Sequence, residues 1–186
     1  PSGAYYIGPG TNDVPRRAFL LDGLVFKGFA SIALDLRYIR NVTVRNCVFY
    51  HNCYGIYVDG FVRNCRIKNN LLFSNNMPRP GGGSPGGQTP IMISGKEIGD
   101  VVVDGNISRY NRYNNARFYS GTIAPGLTVL FSNNRSYGEA PFWFKPNVPG
   151  GRMIGNVAEG FAGTYYAASN TFPRYTGEYV PKKSEG

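Results

Sequence analysis

Short runs of alternating apolar and polar residues, each closed by a polar pivot, recur along this chain. Asn41 to Asn52 reads NVTVRNCVFYHN and Asn64 to Asn76 reads NCRIKNNLLFSNN, each an alternating run, a pivot and a second apolar run ending on Asn. Between them lies GIYVDG, and the same pattern returns in DGLVFKGFA (Asp22 to Ala30), DVVVDGNISRYN (Asp100 to Asn111), LTVLFSNNRSYG (Leu127 to Gly138) and GRMIGNVAEG (Gly151 to Gly160). Period-two alternation predicts half-buried strands, and no segment carries a helical period. Aligning the pivots gives the column Gly28, Cys47, Asn70, Asn106, Asn134 and Asn156, with steps of 19, 23, 36, 28 and 22 residues. Repeats of that length mean stacked supersecondary units.

The long step contains MPRPGGGSPGGQTP (Met77 to Pro90), whose prolines and glycines predict a looped-out insertion that walls any groove beside Ile91 to Lys96. A second set of runs lies between the pivots: SIALD, GIYVD, PIMIS, ARFYS, PFWFK and GTYYA. Each repeat therefore supplies at least two short strands, which stack as parallel sheets.

With its N-x-x-V-x-N-C/N pattern and the column Asn70, Asn106, Asn134 and Asn156, the stretch from about residue 20 to 160 resembles the right-handed parallel β-helix, or pectin-lyase-like, proteins. That group includes pectate lyases, polygalacturonases, alginate-active enzymes and phage tailspikes. The resemblance implies an all-β, right-handed parallel β-helix (solenoid) of about six coils, with an asparagine ladder in which the stacked Asn takes the left-handed bend. One domain is expected over residues 1–186: an irregular lead over 1–19, coils over about 20–168, and an irregular Tyr-rich, basic tail over 169–186. Neither end reads as an amphipathic cap, so a segment of a longer chain, or a homo-oligomer covering the open ends, is expected.

Charge narrows the partners. The 186 residues carry 20 Lys+Arg against 11 Asp+Glu, a formal net charge of +9, which favours an anionic partner. An acidic polysaccharide fits; the Arg and Tyr residues around 109–117 match no nucleic-acid-binding module. No apolar run approaches the roughly 20 residues of a membrane span. The single histidine, His51, and the absence of C-x-x-C argue against a transition-metal site or a Ser-His-Asp triad. Cys47, Cys53 and Cys65 read as small buried hydrophobes; a Cys47 to Cys53 bridge is the alternative.

Alternation nominates the candidate site. Ala33, Tyr57, Met92, Phe118 and Trp143 are expected in one outward column, with Asp35, Asp59, Ser94, Ser120 and Lys145 beside it. Tyr57 and Trp143 suit stacking on sugar rings. Asp35 and Asp59, expected about 5 Å apart on adjacent coils, suit acid/base work or a hard cation such as Ca²⁺. Asp59, in V-D-G, also reads simply as a turn former. On the other sheet Thr43, Arg45, Arg66 and Lys68 face outward, and Arg40, Arg45, Arg63, Arg66 and Lys68 cluster over two coils, as an anion patch or as a solvated face.

What the resemblance implies for chemistry is a base of the lyase kind at Lys96, with Arg112 or Arg117 neutralising a uronate carboxylate. The sequence carries no complete lyase motif, no wall of calcium-binding acids and no polygalacturonase Asp-Asp motif. Two functions are therefore expected side by side: a lyase-like carbohydrate-binding or carbohydrate-processing protein acting on acidic polysaccharide, or a non-catalytic structural or adhesive segment of a fibre or surface assembly. Either places the chain outside the cell or on a cell or virion surface.

Overall fold

The computed structural model describes residues 5–7, 18–75, 77, 89–111, 116–137, 142–144 and 150–159. Fifteen strands cross it: β1 (Tyr5–Ile7), β2 (Phe19–Asp22), β3 (Val25–Lys27), β4 (Ile32–Arg45), β5 (Val48–Tyr50), β6 (Tyr54–Lys68), β7 (Leu71–Phe73), β8 (Ile91–Asp104), β9 (Ile107–Arg109), β10 (Ala116–Ile123), β11 (Val129–Ser132), β12 (Arg135–Tyr137), β13 (Phe142–Phe144), β14 (Gly151–Ile154) and β15 (Val157–Glu159). Every pairing between them is parallel. The architecture is all-β and consistent with a β-solenoid. A six-stranded sheet runs β3, β5, β7, β9, β12, β15, and a nine-stranded sheet centres on β4, β6 and β8.

The long strands β4, β6 and β8 are not straight. Asn41, Asn64 and Asp100 hold φ of 59°, 50° and 52°, so each strand turns at the same level of the stack. Asn and Asp tolerate this left-handed conformation because their short polar side chains bond locally; Asn64 Nδ2 donates to Asn41 Oδ1 at 2.7 Å. Each repeat thereby directs several faces inward. Val44, Ile67, Val103, Phe131 and Met153 stack from one, Phe49 and Leu72 from another, and Leu36, Val58, Ile93 and Phe118 from a third, all buried.

Amides lock the register. Asn70 Oδ1 accepts the Cys47 N–H, Asn106 that of Asn70, Asn134 that of Asn106 and Asn156 that of Asn134, at 2.9–3.0 Å. Each Nδ2 also reaches a backbone carbonyl across the stack, as from Asn106 to Ile67 at 2.9 Å. The expected ladder thus holds from Cys47 to Asn156, with two corrections. Gly28 is not in it: β3 pairs Val25 with Val48, so Leu24 stands opposite Cys47 and Gly28 opposite His51. Nor does the ladder Asn take the left-handed bend; the residue before it does, as Asn46, Asn69, Gly105, Asn133 and Gly155, with φ of 52° to 64°. That residue turns the chain and frees the next side chain to point along the axis.

A second ladder, absent from the sequence reading, runs five residues further on. Asn52 Oδ1 accepts the Phe29 N–H, Asn75 that of Asn52 and Asn111 that of Asn75, at 2.8–3.2 Å. Both ladders bridge the Met77 to Pro90 insertion without a break in register, since Asn70 meets Asn106 and Asn75 meets Asn111. The insertion's body, 78–88, lies outside the described residues, as does its expected role as a groove wall. Tyr5–Ile7, expected to be irregular, is a strand paired with Leu34–Leu36. The expected tail is also outside the described residues.

Asn106→Ala should cost about 2–5 kcal/mol, because it strips partners from the Asn70 amide and the Ile67 carbonyl in the dry interior; urea unfolding measures it. Acid provides a second check. The Arg45 hydrogen bond, then that of Asn46, holds Asp22 below its usual value. For Asp104 burial pulls upward, but bonds from Ser132 and Asn133 and the Lys68 charge more than offset it, leaving a lowered value. Stability from both carboxylates is complete above the ordinary carboxylate range and is lost as pH falls through the lowered folded values. The urea midpoint should therefore drop on acidification from about pH 5 to about pH 2, and less steeply in Asp104→Asn.

Candidate functional site

The residues that turn the long strands for a second time form a groove. Tyr38 (φ 50°), Gly60 (φ 73°), Gly95 (φ 137°) and Gly121 (φ 110°) succeed one another on adjacent repeats, and bare glycine backbone makes the floor. A Cβ on Gly95 would lie 2.5 Å from the Gly60 N and O, and one on Gly121 1.6 Å from the Gly95 carbonyl oxygen. Only glycine permits both the φ and the approach. The Tyr38 ring lies against Gly60, 3.1 Å from where its Cβ would stand. Around this floor opens a groove of about 570 Å³ lined by Tyr38, Asp59, Gly60, Phe61, Gly95, Lys96 and Glu97.

Asp59 and Lys96, nominated from the sequence, thus share one groove. Lys96 is exposed and has no ion-pair partner among the described residues. Its backbone carbonyl accepts the Thr122 hydroxyl. Glu97 faces Arg63 at 3.5 Å, and the Arg63 guanidinium lies 4.4 Å from the Phe61 ring centre while donating to the Glu97 carbonyl at 2.6 Å. One Asp59 oxygen accepts the Gly60 N–H at 2.8 Å, the turn-former geometry.

The stacking expected of Asp35 on Asp59 is corrected. β4 meets β6 two residues out of the expected register: Asp35 pairs with Tyr57, and Arg37 pairs with Asp59. The cause is Leu34 and Leu36, which are both fully buried and take the inward positions opposite Ile56 and Val58. Arg37 stands where the second carboxylate was expected. Its Nε donates to Asp35 Oδ1 at 2.8 Å, and its Nη1 lies 3.8 Å from Asp59 Oδ2. The Asp35 bond, largest among the causes, raises the Arg37 pKa further. A guanidinium held there leaves no place for Ca²⁺ between the two acids. Asp35, its side chain only 6% exposed, anchors Arg37.

Tyr57 is half-buried beneath Arg37, whose guanidinium carbon is 5.5 Å from the ring centre. Burial and then the Asp59 charge push its phenol up, against a bond from Ser94, so it remains a neutral hydroxyl. Parallel pairing puts Met92, Arg117 and Trp143 in the Tyr57 column at the backbone level. Phe118 is corrected from that column, being fully buried and paired with Ile93, and Ala33 and Met92, expected to face outward, are buried as well. Arg117 stands opposite Met92, not Lys96. The side chains of Arg117 and Trp143, and all of Arg112 and Lys145, lie outside the described residues.

Outside the groove the basic patch is largely self-neutralised. Arg45 meets Asp22 at 2.7 Å, Lys68 meets Asp104 at 3.5 Å, and Arg66 donates to the Asp100 carbonyl at 2.7 Å. The cysteines are free and buried, and burial drives the Cys65 thiol up to about 12. His51 is an exposed bend residue with φ 53°. Among the described residues no three His, Cys, Asp or Glu side chains cluster as a metal site, and no helix is long and apolar enough to cross a membrane.

What sequence reasoning missed is the contribution of Tyr38, Gly60, Phe61, Gly95 and Glu97 to the groove. Its only sequence signal is the glycine that follows each inner run, in VDG, ISG and YSG. No protein-family model, curated protein or solved structure matches this chain.

Gly95→Ala should destabilise the fold by about 2–4 kcal/mol, through a strained φ and a backbone clash that cannot relax. A lowered thermal midpoint is the readout.

Proposed function

We propose that this chain is a right-handed parallel β-helix of about six coils, pectin-lyase-like in architecture, that binds an acidic polysaccharide in the groove over Gly60 and Gly95. The observation that carries this reading is the meeting, in one open groove, of Lys96, without an ion-pair partner among the described residues, the Asp59 carboxylate and the rings of Tyr38 and Phe61. A uronate unit presents a carboxylate, hydroxyls and an apolar ring face. Lys96 suits the first, Asp59 accepts from the second, and the aromatic rings suit the third. The net charge of +9 draws such a polymer in. In the catalytic form of this proposal, Arg112 or Arg117 neutralises the uronate carboxylate, Lys96 takes the proton on the carbon beside it, the glycosidic C–O bond on the next carbon breaks to leave a C=C double bond, and the departing oxygen takes a proton through Asp59 as the companion acid/base group. Trp143, Tyr57, Arg112, Arg117 and Lys145 extend the contact, and the protein works outside the cell or at a cell or virion surface.

A non-catalytic structural or adhesive role is the second reading. The pairing of Arg45, Lys68 and Arg66 with groups on neighbouring repeats favours it, since such pairs serve the stack more than a ligand.

Titration with polygalacturonate and alginate, followed by calorimetry and by the absorbance of unsaturated products, separates the two. Lys96→Ala should weaken uronate binding by about 1.5–3 kcal/mol, the range for a hydrogen bond to a charged group. If the parent turns over, the same variant should slow it by about 10²-fold or more. Uronate affinity unchanged in Lys96→Ala would remove the groove from the reading; binding without turnover would leave the adhesive form.

A further inference from the structure

The outward face of the six-stranded sheet lies apart from the groove and has a composition of its own. In β3, β5, β7 and β9 the central residues Phe26, Phe49, Leu72 and Ser108 are buried, so the flanking residues point out. Parallel register arranges them in two columns. The first reads Val25, Val48, Leu71, Ile107 and then Arg135; the second reads Lys27, Tyr50, Phe73, Arg109 and Tyr137. An apolar and aromatic island is thereby bracketed by Lys27 at one end and by Arg109 and Arg135 at the other. Val25 is 64% exposed, unusual for an apolar strand residue.

Ring geometry narrows the occupant. Tyr50 and Phe73 stack face to face, with centres 5.0 Å apart and planes within 6°. Lys27 covers Tyr50 at 5.2 Å and Arg109 covers Tyr137 at 5.1 Å. Tyr50 thereby has both ring faces covered, by Lys27 and by Phe73, and is closed to a sugar or a nucleobase, and what its ring leaves outward is the electropositive edge beside the cation. Neither Lys27 nor Arg109 has a carboxylate partner among the described residues. A second copy of this chain would bring its own positive charge of +9 against them.

We propose that this face docks an acidic amphipathic helix of a partner protein, its apolar stripe on Val48, Leu71 and Phe73 and its carboxylates on Lys27 and Arg109. Dimensions agree. The face is two columns wide, roughly 7 Å between residues two apart on a strand, which fits a helix stripe and is too narrow for a second sheet. From Lys27 to Arg109 is three strand spacings, roughly 14 Å, or about nine residues of helix at 1.5 Å each.

The test uses the whole chain and a fluorescent 18-residue helical peptide with a leucine stripe flanked by glutamates, read by anisotropy. A matched peptide with glutamine for glutamate, heparin, and phosphatidylserine vesicles are the comparisons. The expected result is saturable binding of the glutamate peptide, at least tenfold weaker for the glutamine peptide. It should also be at least tenfold weaker in the Lys27→Glu/Arg109→Glu variant and in Leu71→Ser, with thermal midpoints held within a few degrees as a control on folding. Equal affinity for both peptides, an unchanged affinity in the variants, no binding at about 100 μM peptide, or heparin or vesicle binding that exceeds the peptide's and is lost in the same Lys27→Glu/Arg109→Glu variant would each overturn the proposal.

Discussion

A buried amide in register with the next buried amide is the interaction on which this structure depends. At each bend the backbone leaves the sheet, and its N–H and C=O groups would face a dry interior without partners. Asn52, Asn70, Asn75, Asn106 and Asn134 are essentially inaccessible to solvent. Each accepts a backbone N–H of the preceding repeat on its oxygen, donates one amide hydrogen to a carbonyl of that same repeat, and donates the other to the ladder amide of the next repeat. No other uncharged side chain of that length offers a donor and an acceptor at once. Because the bond is made to a particular amide, a slip of one residue would break every rung and turn every core side chain outward.

The groove lies at the bend that has no such ladder. There, side chains from adjacent repeats reach over to bend carbonyls instead: Arg63 to Glu97 and Thr122 to Lys96. Glycine at Gly60, Gly95 and Gly121 removes the side chains that would fill the corner. The rigid bends thus hold the stack, while the third bend leaves room and charge at the surface. Arg37 ties the two tasks together, since it is anchored by a buried acid and reaches toward the groove acid Asp59.

The parallel all-β stack, the ladder from Cys47 to Asn156 and the outward columns through Thr43 and Arg45 were legible because alternation and a repeated Asn leave direct marks. Misreadings share one cause: alignment by local resemblance rather than by burial. SIALD looks like GIYVD, yet Leu34 and Leu36 are the buried pair, and the whole segment moves by two. Gly28 resembled a pivot because glycine can bend the chain anywhere. The second ladder was visible in principle, as Asn52, Asn75 and Asn111 each follow a pivot by five residues. The outward face of β5 and β7 was harder to see, since three-residue strands show too little alternation to declare a side. The groove depends on glycines, whose contribution is what they lack, and no pattern of side chains announces that.

The crossing of the Met77 to Pro90 insertion by both ladders has an architectural meaning. Asn70 and Asn106 are 36 positions apart along the chain, whereas Cys47 and Asn70 are 23 apart, yet both pairs close at 2.9 Å. Sequence distance between rungs is therefore decoupled from spatial distance. Closing a longer excursion costs only slowly more entropy as it grows. A chain built in this way has a port where foreign sequence can be spliced without retuning the lattice beneath it, and new surface chemistry can be acquired there one loop at a time.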